Sequence, residues 1–189
     1  TKEELLAAGL VVNGRNGRLY DKFRNRLMLP VIDTRGDVVG FGSRVIDNSE
    51  PKYMNTTETI TYSKRRILYG LNLAKKTKRP NIILCEGNLD VVTLHQAGFD
   101  NAVASMGTAL TVEQTRLLSR FTKELVLCYD NDNAGKIATE RALQILNGSE
   151  FSVKVLQLSR RLVDGEYIKQ DADDFIKFQG PDAFERLLN

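Results

Sequence analysis

From residue 80 onward the chain alternates short, unbroken apolar runs with amphipathic stretches that open on helix-start signals. NIILC is a continuous apolar run of the kind a strand buried on both faces requires, and LDVVTLHQAGF reads as a helix that Gly98 can end. NAVAS gives a second strand, after which Thr111 and Gln114 stand at capping-box spacing for a helix over TVEQTRLLSRF. ELVLCYD is a third strand, AGKIATERALQIL a third helix and FSVKVLQL a fourth strand. Two short helices around DDFIKF and PDAFERLL follow, with Gly180-Pro181 between them. Strand–helix alternation of this sort predicts an α/β fold: a parallel sheet covered by helices on both faces, joined by right-handed crossovers.

The upstream part follows other rules. Thr1 and Glu4 form a capping box before a short helix EELLAAG that ends at Gly9. RLMLPVIDTRGDVVGFGSRVI places two apolar runs around Asp33–Asp37, which predicts an antiparallel hairpin. Residues 47–66 are polar, with Pro51 breaking any regular element, and read as a long loop carrying PKYMN and the basic SKRR. Charge divides along the same line. Residues 1–79 hold 16 Lys and Arg against 8 Asp and Glu, whereas residues 80–189 hold 11 against 16. A phosphate-facing basic half joined to an acidic half accounts for this, since lysines and arginines grip phosphates with release of counterions. On charge alone, unevenly solvated surface explains the counts equally well. The expected organisation is a smaller basic α+β subdomain over 1–79, an α/β domain over 80–160, and an acidic loop with short helices over 161–189 that completes it.

Several function classes fall away. With 42% hydrophobic and 27% charged residues in 189, the composition is that of an ordinary globular chain. No apolar run approaches the ~20 residues of a membrane span, and TKEELLAAGL lacks the basic start and apolar stretch of a signal peptide. A soluble, cytoplasmic chain without membrane contact is expected, and the missing initiator Met suggests a trimmed fragment. Cys85 and Cys128 lie inside apolar runs without C-x-x-C spacing, which indicates neither a disulfide framework nor a thiolate zinc site. His95 is the sole histidine and falls late in a helix, where a structural role is favoured over a catalytic one. Chemistry then rests on carboxylates, lysines, arginines and hydroxyls.

In an open parallel sheet, ligands sit beyond the carboxyl ends of the strands, near a switch in strand order. Glu86 stands at the tip of the first strand and Asp90 in the first turn of the helix that follows. Asp130 and Asp132 follow the third strand, two residues apart, where an extended segment points them to one side. Taken singly, Asp90 fits a helix N-terminus, D-x-D an Asx-turn, and Asp171–Asp174 a helix cap. Together, Glu86, Asp130 and Asp132 at strand tips of one sheet predict a cation site. Two like charges about 4 Å apart repel by about 4 kcal/mol at an effective dielectric of 20. An all-oxygen set without His or Cys selects hard ions, Mg²⁺ first and Mn²⁺ second.

CEGNLD followed by YDNDNAG resembles the Toprim signature, a Glu in a Gly-bearing strand tip with D-x-D downstream. YDKFRNRLMLPVIDTRGDVVGFGSRVI, PKYMN, ILYGL and ASMGTALT resemble, in order, the RNA polymerase core of the bacterial replicative primase of the DnaG type, over residues 18–189. The resemblance implies that Glu86, Asp130 and Asp132 are principal metal ligands, Asp90, Asp171 and Asp173 accessory acids, and Arg24, Arg26, Arg44 and Lys52 template or nucleotide contacts. It further implies RNA primer synthesis on single-stranded DNA by two-metal nucleotidyl transfer. NTPs are the substrates, Mg²⁺ (or Mn²⁺) the cofactor with no zinc here, and the replicative helicase a partner through regions outside this chain; the chain itself is expected to be a monomer. Other Toprim enzymes, topoisomerase or nuclease, and a non-catalytic DNA-binding Toprim module are the alternatives. The sequence departs from the family at Asn88 and Leu89, which replace an aromatic and Met, and at Ala172, which replaces Pro. Asn131 stands where the family has Gly, so it is expected to fit a glycine-type turn. SRRLVDGEYIKQ is longer than the usual connection before Asp171.

Overall fold

The computed structural model describes residues 1–163 and 165–189. Helix α1 (Lys2–Ala7) starts at the expected capping box, with Thr1 accepting from the Glu4 backbone. A small hairpin of β1 (Val11–Asn13) and β2 (Leu19–Asp21) follows. The expected antiparallel hairpin is β3 (Arg26–Ile32) with β4 (Val38–Val45). Its turn is set by Asp33, whose Oδ1 accepts from the backbone N–H groups of Arg35, Gly36 and Asp37. The predicted long loop is corrected at Tyr53–Asn55, which form β5 and add a third strand on the free edge of β4. Pro51 sits just before that strand and interrupts no ladder, so the proline bounds the element without excluding it. Helix α2 (Leu71–Ala74) then leads into the second sheet.

The remaining elements are β6 (Asn81–Cys85), α3 (Asn88–Gln96), β7 (Ala102–Ala104), α4 (Val112–Leu118), β8 (Glu124–Cys128), α5 (Asn133–Leu146), β9 (Ser152–Val155), β10 (Arg161–Val163), β11 (Glu166–Ile168), α6 (Ala172–Gln179) and α7 (Pro181–Leu188). Strands β6 to β9 form the expected parallel sheet in the order β7-β6-β8-β9. The fourth strand is shorter than FSVKVLQL suggests. Residues in SRRLVDGEYIKQ form an antiparallel hairpin of β10 and β11, an element absent from the expectations above although Asp164-Gly165 is a hairpin dipeptide in the sequence.

Alternation along the strands distributes the core to two faces. Ile83, Cys85, Val126 and Cys128 pack with Val91 and Leu94 of α3, Phe175 of α6 and Phe184 of α7. Ile82, Leu84, Leu125 and Leu127 pack with Leu71 of α2, Leu118 of α4, and Ala142 and Leu146 of α5. Helices therefore cover both faces, as a parallel sheet requires. The antiparallel sheet joins through Val31, Tyr62, Ile67 and Met106, which form a third cluster, and through a bridge of Tyr69 to Ala104. Gly42 of β4 lies so close to α3 that a Cβ there would meet Asn88 Nδ2 at 2.5 Å.

Candidate metal centre

The chain runs from β6 outward to β7, then crosses back to place β8 on the other side of β6, so strand order reverses between β6 and β8. Ligand sites in open sheets form at such a reversal, beyond the carboxyl ends. Cys85 and Cys128 are register partners as the last residues of these two strands. Glu86 and the Tyr129–Asp130 pair therefore emerge side by side, and Glu86 Oε1 accepts from the Asp130 backbone N–H at 3.1 Å. Asp90, 7% exposed, sits at the third position of α3 and its Oδ2 accepts from the Gly87 N–H at 3.0 Å. Its Oδ1 accepts from the Asp173 N–H at 3.1 Å, which ties α6 to α3. Asp171 caps α6 by accepting from the Asp174 N–H.

Glu86, Asp90, Asp130 and Asp171 line one cavity of about 280 Å³. Asp132 and Asp173 do not line it. Asp132 caps α5 by accepting from the Gly135 N–H at 2.8 Å and pairs with Lys169 Nζ at 2.8 Å. Asp173 accepts from Thr93 and pairs with Lys177. Among the described residues, the three acids whose carboxylate oxygens come within 4.8 Å of one another are Asp171, Asp173 and Asp174. The close approach of the loop after β8 to the start of α5 depends on Gly135, where a Cβ would meet the Asp130 carbonyl oxygen at 2.0 Å. Asn131 is not in a glycine-type conformation: Asn25 alone among described non-glycine residues has positive φ, and the Asn131 side chain instead donates to the Leu158 carbonyl at 2.7 Å. The expected left-handed turn is thereby corrected.

Electrostatics divide the acids in the same way. Burial pushes Asp90 up to about 7, with the Asp171 charge adding to it against the two backbone N–H groups. Burial raises Asp130 to about 6, helped by Glu86 and Asp171. Glu86 is raised as well, mainly by burial. Asp132 is lowered, first by its bond to Lys169 and then by the Gly135 N–H. These partly desolvated carboxylates face one cavity, and among the described residues no lysine or arginine makes an ion pair with any of the four. All donors are hard oxygens. The arrangement is consistent with a divalent cation held by these residues.

The other wall of the cavity is the antiparallel sheet. Leu29, Ser43, Tyr53 and Asn55 line it opposite the acids. Residues flanking Tyr53 carry the predicted basic side chains: Arg44, its register partner on β4, and Lys52 both lie 5.7 Å from the Tyr53 ring centroid. Arg24 stacks on Tyr20 at 4.8 Å. Arg26 donates from Nη2 to the Pro51 carbonyl at 2.8 Å and so braces the segment leading into Lys52. A second cavity of about 430 Å³ shares Glu86, Ser105 and Gly107 with the first and extends along α5 past Ala134 to Arg141. Tyr53, Asn55, Ser105 and Lys169 are not singled out by sequence reasoning. PKYMN and ASMGTALT marked three of them as motif members, but no local signal pointed to Lys169. His95 is structural, its Nε2–H donating to the Ala102 carbonyl at 2.9 Å.

Residues 1–75 match the family model of the DNA primase catalytic core, N-terminal domain, and residues 83–176 match a Toprim-like model. The chain belongs to the DnaG-type primase catalytic core. Among curated primases, that of Clostridium acetobutylicum is 45% identical over 189 residues, covering 100% of this chain and 30% of the relative. The Escherichia coli K12 primase is 42% identical over 189 residues, covering 99% of this chain and 32% of the relative. The chain thus spans roughly a third of their length. Solved primase structures superpose closely. A DNA primase domain from Pseudomonas aeruginosa gives a TM-score of 0.87 at 37% identity, covering 99% of this chain and 58% of that one. A DnaG primase catalytic domain bound to ssDNA gives 0.86 at 38%, covering 99% and 57%. No helix among the described residues is long and apolar enough to cross a membrane.

Proposed function

We propose that this chain forms part of the catalytic core of an enzyme that synthesises short RNA primers on a single-stranded DNA template. One observation carries the reading: acids at the switch point of a parallel sheet open into the same cavity as the β3–β5 sheet, where Arg44 and Lys52 lie against the cavity-lining Tyr53. Glu86, Asp130 and Asp132 are the principal ligands of the cation, with Asp90, Asp171 and Asp173 in support. Bound there, Mg²⁺, or Mn²⁺ in its place, supplies stabilisation of the charge on attacking and leaving oxygens of a phosphoryl transfer. The protein's own part is to position. Gly87 and Asp173 N–H groups orient Asp90, the Asp130 N–H orients Glu86, and the Gly135 N–H orients Asp132. Arg24, Arg26, Arg44 and Lys52 hold phosphates of template or NTP. The residues divide into a basic part over 1–79, a metal-binding part over 80–160 and a completing segment over 161–189. The solved relative bound to ssDNA supports a DNA template strand for this chain. We assign contact with the replicative helicase to the remainder of the longer relatives, and cytoplasmic work as a monomer to this chain.

The test is a primer-synthesis assay with single-stranded DNA, NTPs and Mg²⁺, run on this chain and on the chain within its full-length gene product. Short RNA products that disappear in the Asp130→Asn variant are expected. Template-dependent RNA undiminished by Asp130→Asn would overturn the assignment.

A further inference from the structure

The acids of the centre keep different company. The four that line the cavity lack a basic partner among the described residues, whereas Asp132 and Asp173 are each in an ion pair. The Asp173–Lys177 pair is the local i,i+4 kind on α6. Lys169 is not local to Asp132. It follows β11 directly and precedes Gln170, which is 2% exposed and accepts from Gln179. Hairpin and buried glutamine thus fix its backbone beside the acids, while its side chain is 59% exposed and free to change partner. The ammonium also acts on Glu86, Asp130 and Asp171.

An ammonium and a divalent cation compete for the same carboxylate. Whatever draws Asp132 toward a divalent cation releases a lysine at the rim of the site. Resting on the function proposed above, we infer that Lys169 is a nucleotide-binding residue that exchanges partners: it neutralises Asp132 while the centre is empty and turns to the triphosphate of the incoming NTP once that carboxylate is engaged. A lysine suits this use, as a compact charge on a flexible stem that needs no fixed bidentate geometry.

The exchange has a signature of opposite signs. With the chain free of nucleotide, Mn²⁺ titration followed by the electron paramagnetic resonance of the free ion should show Lys169→Gln binding the ion more tightly than wild type, by about three- to tenfold. Equilibrium dialysis of ATP in Mg²⁺ should show the same variant binding nucleotide more weakly, by a similar factor. Lys169→Arg should lie near wild type in both, and circular dichroism should be unchanged. A merely structural lysine would move both affinities the same way or neither, and either result overturns the inference. If wild type binds Mn²⁺ but not ATP, the primase reading itself fails and the inference with it; if wild type binds both and Lys169→Gln shifts neither, the role of Lys169 alone is withdrawn.

Discussion

At the scale of single residues, what distinguishes the acids is how far water reaches them. Asp130 is partly buried beside Glu86 and makes no ion pair among the described residues, so replacing it with Asn keeps shape and removes the charge the proposed cation would need. Primer synthesis should fall by more than about a hundredfold, the upper range seen when only an outer-shell partner is lost, while single-stranded DNA affinity changes little in a gel-shift or anisotropy titration. The cysteines give a second residue-scale outcome. Cys85 and Cys128 are free thiols, 0% and 3% exposed, and the Cys85 thiol is pushed well up by a hydrogen bond with the Cys128 thiol and by burial. A thiolate-selective reagent should label both slowly in the native state and fast after denaturation; rapid native labelling would contradict the burial.

At the scale of elements, the three-stranded sheet and the parallel sheet meet through contacts that tolerate little change. Arg44 on β4 and Lys52, the residue before β5, both lie against Tyr53, which lines the cavity, so the proposed basic track would run along its rim. Lys52→Ala should weaken DNA or NTP binding and make the dependence of DNA affinity on salt shallower by about one phosphate contact. A salt titration of wild type and variant reads this, and an unchanged slope with unchanged NTP affinity would remove Lys52 from the track. Gly135 governs another junction. A methyl group there would collide with the Asp130 carbonyl, so Gly135→Ala must shift the start of α5 and should cost about 1–3 kcal/mol in a denaturant titration, with loss of cation affinity alongside.

At the scale of the whole molecule, the acid cluster makes stability depend on pH and on cation. Asp90 and Asp130 sit at about 7 and about 6 when folded, above the carboxyl value of 3.8 that unfolding restores. Between those values the folded chain holds protons that the unfolded chain has released, so stability falls as pH rises from about 4 to about 7 and then levels for these groups. In EDTA the melting temperature should drop by roughly 3–8 °C between pH 5 and pH 7.5, after discounting for partial exposure. Millimolar Mg²⁺ should flatten or reverse the slope, because cation binding favours the charged carboxylates of the folded state. A melting temperature that rises with pH in EDTA would show that these acids are not held at raised values.

Local chemistry makes much of this protein legible in its sequence. Continuous apolar runs at NIILC and ELVLC, capping boxes at Thr1 and Thr111, and the Asp33 turn each act over a few residues, and each forms where the residue pattern puts it. The ordered motifs that led to the family are local as well. What the chain order could not decide is which strand tips are neighbours: Glu86 and Asp130 meet because β8 returns to pair with β6, a consequence of sheet order that no residue near either acid encodes. Strand β5 is not legible locally because a three-residue edge strand is held by its partner β4; the β10–β11 hairpin, by contrast, carries a local signal in the Asp164-Gly165 dipeptide between RLV and EYI. The separation of the acids into four that face the cavity and two held by lysines is likewise tertiary. Residue type sets the charge each carboxylate can carry, but burial, the backbone N–H groups aimed at it and the reach of Lys169 from a distant hairpin decide which of them faces the cavity and which is paired.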